Sequence, residues 1–402
     1  MADTSTLDHT ARRIAVALVY LSGFLQGLTL VSFPASGALL KQTLGLSDAQ
    51  YGAIFLPQVG LAILGALLGA SLARGIGLKA LLVLALLANG LSQLALAASL
   101  TVMAGLGFTL ILAATGALGF GFGLAGAPIN TYPPLLFPRQ PHAAVVALHT
   151  LLGMGLATGP LAAGAFMDAG VFTAYPLLSA ALCGVLAVLT LLARLPIEAE
   201  TGAASRPGPL PLAAPGFWGF ALVAVLYAFA EGTFSNWVVI YLNETKGLPQ
   251  AVATLALSAF WAALVVGRLT VSALVVRVAP ERIWLILPLL MIAAFLLLPY
   301  ADSPALGIML FALAGLGCSA FFPLTITLAA HRFPHHVAAV SSMMIAALMI
   351  GVGAGSFAIG ALRAQLPLES LYQLSAIYPA LVLAIAAALV LARSYAWRTH
   401  AG

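Results

Sequence analysis

The chain has 402 residues, of which 62% are hydrophobic and only 7% are charged, and its mean hydropathy is +1.10. A soluble domain carries roughly 25% charged residues, so this composition excludes a soluble globular protein and indicates a chain that lies mostly in lipid. Long unbroken apolar runs exclude the alternating pattern of a membrane β-barrel, which leaves an all-α membrane protein. The net charge of +5 would suggest a nucleic acid partner for a soluble chain. Here the expected partner is the lipid bilayer, and no nucleic acid is expected.

Charges and prolines divide the chain into twelve predicted membrane spans, numbered 1 to 12 in chain order. We place them near 13–40, 50–72, 79–99, 104–137, 143–166, 173–193, 216–242, 249–275, 283–300, 304–330, 337–361 and 371–392. The first six spans form a predicted bundle over 13–194, after a tail over 1–12. The other six form a second bundle over 216–393, before a tail over 394–402. The segment 195–215 between them is rich in proline and glycine, which predicts an extended linker.

The basic residues predict how the chain lies across the membrane. If the N-terminus is cytoplasmic, only Lys41, Lys246 and Arg363 of the 16 basic residues fall on the outer side. Because cytoplasmic loops carry an excess of lysine and arginine, this asymmetry predicts that both termini and the linker are cytoplasmic. We therefore expect a multi-pass protein of the inner (plasma) membrane.

A short loop between spans 2 and 3 reads Leu72-Ala-Arg-Gly-Ile-Gly-Leu-Lys79. This loop, together with two six-span halves and a central linker, resembles the major facilitator superfamily, whose halves are pseudo-symmetric repeats. Gly77 and Lys79 match the loop of that family, whereas Arg74 stands where the family usually has an acid. A weaker match to the same motif occurs at Arg268, toward the cytoplasmic end of span 8. The resemblance implies a secondary transporter in which these residues serve gating, and short turns with cytoplasmic charges are the alternative.

Several sequence clusters resemble one branch of that family, the fucose/galactose/hexose-type proton symporters. In spans 4 and 5 they are Gly119-Phe-Gly-Phe-Gly123, Asn130-Thr-Tyr132, Ala147-Leu-His149, Gly153-Met-Gly155 and Gly159-Pro160. In spans 7 and 8 they are Glu231 with Trp237 and Tyr241, and Phe260-Trp261 with Gly267-Arg268-Leu269. The glycines also permit close approach of helices in lipid, so either packing or a hinge accounts for them.

Glu231 is the one acid predicted to lie deep in a span, since the others fall in tails, the linker or loops. A charged side chain at the centre of a membrane helix costs at least ~2.5–3.5 kcal/mol, so we expect it to have a function. Binding a proton there would neutralise the site and shift a conformational equilibrium, as a proton-coupled transporter requires. The alternative is a structural acceptor that is protonated or hydrogen-bonded to neighbouring helices.

His149 and Asn130 are predicted at similar depth in the first half, where they would contact each other. His149 is either a second proton-coupling group or a packed polar side chain. A second set of histidines, His331, His335 and His336, is predicted to lie in an interfacial loop rather than to bind a metal.

Amide and aromatic side chains complete a predicted substrate pocket, because amides bond hydroxyl groups and aromatic faces stack on a sugar or another flat ligand. Its residues are Gln26, Gln58, Asn130, Asn236, Trp237, Tyr241 and Trp261. An aromatic belt at the outer membrane surface is the alternative for Trp237 and Tyr241. No basic residue is predicted at the depth of Glu231, which argues against an anion carrier.

The sequence has no nucleotide-binding loop after a strand and no converging set of catalytic or metal-ligating residues, so we predict neither an enzyme nor a cofactor. We predict a monomeric, proton-coupled importer of a small neutral polar solute of the sugar type. The alternatives are a proton-driven exporter of amphipathic metabolites or drugs, and a membrane sensor or assembly factor that keeps the fold. Accumulation, loss, or binding without movement of solute would distinguish the three.

Overall fold

The computed structural model describes residues 9–196 and 210–400, apart from the side chains at positions 70, 142, 338 and 393–400. These residues form two compact units, one on each side of 197–209. The predicted linker over 195–215 falls mostly outside the described residues, as does most of the predicted N-terminal tail. The predicted C-terminal tail continues the last helix as far as His400.

The first unit is helical from end to end, and one glycine interrupts its longest helix. Its helices are α1 (His9–Leu30), α2 (Ser32–Ala35), α3 (Gly37–Leu44), α4 (Asp48–Ala53), α5 (Phe55–Ser99), α6 (Ala104–Leu136), α7 (Pro141–Asp168) and α8 (Ala174–Leu192). Within α5 the backbone leaves the helical region at Gly77, with φ 82° and ψ 158°. Only glycine adopts such a conformation at little cost, so Gly77 separates spans 2 and 3 as the loop motif predicts.

The second unit is built in the same way, with additional breaks in its spans. Its helices are α9 (Pro215–Ile240), α10 (Gln250–Leu274), α11 (Pro280–Leu297), α12 (Pro304–Cys318), α13 (Phe321–Arg332), α14 (Val337–Leu362), α15 (Leu368–Ser375) and α16 (Ile377–His400). A π-helical turn over Tyr241–Thr245 extends α9, and 3₁₀ turns lie at Leu298–Tyr300 and Pro334–His336.

Twelve helical segments in the described part of the chain are long and apolar enough to cross a membrane, which confirms the all-α, twelve-span prediction. They cover His9–Ala35, Asp48–Gly69, Ser71–Ser99, Ala104–Leu136, Ala143–Asp168, Ala174–Leu192, Pro215–Thr245, Gln250–Leu274, Pro280–Tyr300, Pro304–Arg332, Ala339–Leu362 and Leu368–Ala392. Most of the predicted ends lie within a few residues of these bounds. The third span differs most, because its helix begins at Ser71 and not near 79, and the first span begins and ends a few residues earlier than predicted.

Both units pack their helices through the same glycine contacts. In the first unit, a Cβ on Gly27 would lie 2.0 Å from a backbone oxygen of span 5, and one on Gly155 would lie 2.1 Å from a backbone oxygen of span 1. In the second unit, Gly232 and Gly355 make the matching contacts between spans 7 and 11, with nearest backbone atoms at 2.9 Å. Such distances leave no room for a methyl group, so these glycines serve close packing.

This repeated packing gives a residue correspondence between the two units. Gln26 precedes Gly27 in span 1 as Glu231 precedes Gly232 in span 7. The two polar residues therefore occupy equivalent positions in the two units, one as a neutral amide and the other as an acid.

The ends of the first unit's helices are held by basic side chains. Lys79 donates to the carbonyl oxygens of Leu191 and Ala193 at 2.7 and 2.9 Å. Arg12 donates to the carbonyl of Leu136 at 2.6 Å. Each cation thus lies at the C-terminal end of a helix, where it satisfies free carbonyls and opposes the helix dipole.

Candidate transport site

A break in span 10 organises the polar centre of the second unit. Helix α12 ends at Cys318 and α13 begins at Phe321, so the chain is not α-helical at Ser319 and Ala320. The residue four positions after Ser319 is Pro323, which has no N–H to donate to the Ser319 carbonyl. A carbonyl without a donor inside a membrane costs several kcal/mol, so other groups must bond to it.

Two side chains from other spans supply the missing donors. Arg268 of α10 donates through Nε to the Ser319 carbonyl at 2.8 Å, and the Tyr227 hydroxyl of α9 donates to the Cys318 carbonyl at 2.9 Å. The ring of Tyr227 also stacks on Phe321, with ring centroids 5.1 Å apart. The break in span 10 therefore fixes the positions of Arg268 and Tyr227.

Glu231 lies in the middle of α9 and is half-buried. Tyr227 lies one turn earlier on the same helix, so both side chains share one face of α9. The Glu231 carboxyl group also experiences the charge of Arg268. The remaining described acids all lie at or near helix ends, so among these residues Glu231 is the only acid inside a span.

Arg268 lies inside α10 and is half-buried. Its hydrogen bond to the broken span 10 holds its guanidinium within the unit, where it acts electrostatically on Glu231. The sequence analysis gave Arg268 a role in gating and did not relate it to Glu231.

Trp261 lies on the same face of α10 as Arg268, because seven residues are close to two helical turns. The Trp261 ring is half-buried and meets Phe260 edge-on, with centroids 5.1 Å apart. Its indole N–H is buried, and no acceptor bonds it among the described residues. Trp261 therefore presents an aromatic ring and a hydrogen-bond donor that has no acceptor in the described structure.

In the first unit, Asn130 and His149 come together as expected. Asn130 Oδ1 lies 3.1 Å from His149 Nε2, and Asn130 Nδ2 donates to the Gly126 carbonyl at 2.8 Å. Both side chains are exposed. Gln58 of α5 is half-buried, and its Oε1 has no hydrogen-bond partner in the described structure. These three residues offer both donors and acceptors for a polar solute.

Four of the predicted pocket residues are buried within their own units instead. Gln26 is 2% exposed and accepts a hydrogen bond from Asn89 at 2.9 Å. Asn236 donates to the Ser356 hydroxyl at 2.7 Å, and Trp237 donates to a backbone carbonyl in span 11 at 3.2 Å.

Trp237 and Tyr241 have no exposed surface, and Tyr241 donates to the Leu298 carbonyl at 3.0 Å while packing on Tyr372. The alternative of an aromatic belt is therefore wrong for both. Because their polar atoms already have partners inside the unit, Trp237, Tyr241 and Asn236 hold spans together and do not belong to the site proposed below.

The structure adds Tyr227 to the candidate site, which the sequence analysis missed. Its spacing of four residues before Glu231 was the available signal, since side chains at that spacing meet on a helix. The partner in span 10 had no comparable signal. The histidines His331 and His335 are exposed, and no group of three potential metal ligands occurs in the part of the chain that the structure describes.

Comparison with known proteins decides the family. The sequence matches the Major Facilitator Superfamily over residues 14–311 and again over 220–401. The chain belongs to the major facilitator superfamily. Members of this superfamily are secondary transporters.

Individual members of the superfamily share less with this chain. It is 28% identical to the glucose/mannose transporter GlcP of Bacillus subtilis (strain 168) over 142 residues, which is 35% of each protein. The match thus spans about a third of that relative's length.

Solved structures confirm the fold. The nucleoside transporter NupG, solved as a mutant, aligns with a TM-score of 0.75 at 17% identity, over 94% of this chain and 99% of that one. The Escherichia coli fucose:proton symporter FucP, also solved as a mutant, aligns with a TM-score of 0.58 at 16% identity, over 95% and 98%. At these identities the likeness shows a shared fold. It is not evidence of a shared substrate.

Proposed function

We propose that this superfamily member imports a small neutral polar solute of the sugar type together with protons, and that Glu231 binds the proton. The observation that carries the proposal is the position of Glu231 inside span 7, on the face of α9 that also carries Tyr227 and within the field of Arg268. A carboxyl group in such a place is costly and is expected to be functional.

Arg268 gives the proton a structural effect in this mechanism. Its guanidinium has several N–H groups, one of which holds the Ser319 carbonyl while Glu231 lies within its field. When Glu231 is ionised, it attracts Arg268; when Glu231 binds a proton, that attraction ends and the bond to the broken span 10 remains. Proton binding would thereby favour one of two arrangements of spans 7, 8 and 10.

The available polar groups favour a neutral, hydroxylated solute. In the second unit, Trp261 offers an aromatic face and an N–H without an acceptor. In the first unit, Gln58, Asn130 and His149 offer hydrogen-bond donors and acceptors. Mixed donors and acceptors suit hydroxyl groups, which do both. The likeness to a glucose/mannose transporter supports the same solute class, and so does the resemblance to the hexose-type symporters.

Transport by the full chain in proteoliposomes tests this proposal. Labelled glucose, mannose, fucose, uridine and an amphipathic cationic dye would each be offered with a proton gradient that drives uptake. We expect one of the sugars to accumulate, and to stop accumulating when a protonophore removes the gradient. Gradient-driven loss of the dye with no sugar movement would show an exporter, and binding without any transport would show a sensor.

We also propose that both termini are cytoplasmic, on the basis of the distribution of basic residues. Cys183 and Cys318 are buried, so new surface cysteines can be labelled selectively. An impermeant maleimide applied to intact cells should label Thr101→Cys in the exposed turn after α5, and should leave the exposed Arg139→Cys unlabelled. The reverse pattern would refute this orientation.

A further inference from the structure

A row of buried polar side chains runs between spans 1 and 3 in the first unit. We name this row the polar seam, and it consists of Gln26, Ser32, Asn89, Ser92 and Gln93. Gln26 and Asn89 are each 2% exposed, and the other three are fully buried. The seam lies apart from the groups assigned to transport above, and an amide buried in a membrane bundle needs hydrogen-bond partners.

The seam makes only two hydrogen bonds across the two spans. Asn89 Nδ2 donates to Gln26 Oε1 at 2.9 Å, and Ser32 Oγ donates to Gln93 Oε1 at 3.1 Å. Asn89 and Gln93 lie one turn apart on the same helix, so the two bonds are neighbours along the seam.

Four buried atoms of the seam have no partner among the described residues: Gln26 Nε2, Asn89 Oδ1, Ser92 Oγ and Gln93 Nε2. Exchanging the nitrogen and oxygen of both amides in the Gln26–Asn89 pair would still leave one donor and one acceptor without a bond. The shortage of partners therefore does not depend on how these amides are oriented.

We propose that the polar seam binds ordered water molecules that bridge these four atoms. Water both donates and accepts, which suits a site with amide donors and with carbonyl and hydroxyl acceptors. The seam residues carry no charge, so neither an anion nor a metal cation would be balanced there. Buried polar atoms without partners are costly, and that cost favours filling the seam with water.

Gly121 of span 4 packs directly against Asn89. A Cβ at position 121 would lie 2.5 Å from Asn89 Oδ1 and 2.9 Å from the Ala85 carbonyl. A methyl group there would displace the Asn89 amide from Gln26. The packing of span 4 and the polar seam are thus adjusted to each other.

The seam also explains why Gln26 is an amide where the equivalent residue of span 7 is Glu231. A neutral amide bound to water keeps its hydrogen bonds at every physiological pH, whereas a carboxyl group gains or loses a proton. The proposed water binding would therefore not depend on a proton at Gln26.

A crystal or electron-microscopy structure of the full chain, at a resolution that shows water and without added sugar, tests the proposal directly. Density within hydrogen-bonding distance of both Gln26 and Asn89 is expected. A continuous protein contact without density would overturn it. A seam that fills only when glucose is added would also overturn it, since the ligand would then be a solute hydroxyl.

Thermal unfolding of the purified full chain gives an independent test. Gln26→Met and Asn89→Leu each strip a partner from a buried amide and should lower Tm by at least about 2 °C. The double variant should lose less than the sum of the two, because the water and both polar groups leave together. Ser22→Ala is the matched control, since that buried hydroxyl already bonds to its own helix. Additive losses would refute a water-bridged pair.

Discussion

Glu231→Gln is the substitution that tests the proposed coupling most sharply. Glutamine has nearly the same shape and can still form hydrogen bonds, but it cannot bind and release a proton. It also removes the negative charge that acts on Arg268. We therefore expect the variant to fold and to exchange solute across the membrane without accumulating it.

The magnitude follows from the number of acids in the spans. Glu231 is the only acid of the described residues that lies inside one, so we expect one proton per solute from it. One proton moving down one pH unit yields about 1.4 kcal/mol, which is a tenfold accumulation. Wild-type protein should thus accumulate solute about tenfold per unit of pH difference, and Glu231→Gln should reach a ratio of about one.

The assay is uptake of the sugar identified in proteoliposomes, with the membrane potential clamped and the pH difference varied. Counterflow exchange, measured on the same vesicles without a gradient, shows that the variant still binds and moves solute. Asp168→Asn, at the exposed end of α7, is the control and should behave as wild type. If Glu231→Gln kept the tenfold slope, Glu231 would have no part in coupling.

Three further predictions concern packing, helix ends and His149. Gly155→Ala should lower the free energy of unfolding by about 1–3 kcal/mol, because its Cβ would meet the backbone of span 1. Gly184 has open space around it, so Gly184→Ala should be neutral or stabilising by up to about 1 kcal/mol. Thermal unfolding compares the two variants. Lys79→Met leaves two carbonyls at the end of α8 without their donor and should cost about 1 kcal/mol in the same assay, and no change would mean that water replaces the lysine. His149→Gln keeps a polar partner for Asn130, so an altered pH profile of uptake would show a second proton-coupling group, and an unaltered one would make His149 structural.

Local features of the sequence predicted the fold well. The break at Gly77 was predictable because glycine at that place in a charged loop is typical of the family. The backbone there does adopt a positive φ. The contact of Asn130 with His149 was also foreseen, since both lie a similar distance from the same short loop. In each case the relevant residues are close in sequence, so helix geometry alone relates them.

Predictions about side chains on distant spans were less accurate. Trp237 and Tyr241 lie near the end of a span, a position shared by belt, pocket and packing residues. Burial by other helices of the unit decides among these roles, and the sequence does not show which helices those are. The hydrogen bond of Arg268 was not foreseen for the same reason, because its acceptor is a carbonyl set free by Pro323 in a different span.

By itself, the sequence predicted twelve helical spans, a resemblance to the major facilitator superfamily, and one acid far from the ends of its span. Hydropathy and charge are local properties of the chain. Because the thickness of a bilayer is known, an apolar run of sufficient length directly predicts a membrane span. Only the tertiary structure decided which polar atoms meet: Arg268 with the Ser319 carbonyl, Tyr227 with the Cys318 carbonyl, and Gln26 with Asn89. Those meetings depend on glycine contacts and helix breaks that bring separate spans within hydrogen-bonding distance, and no local pattern in the sequence encodes that distance.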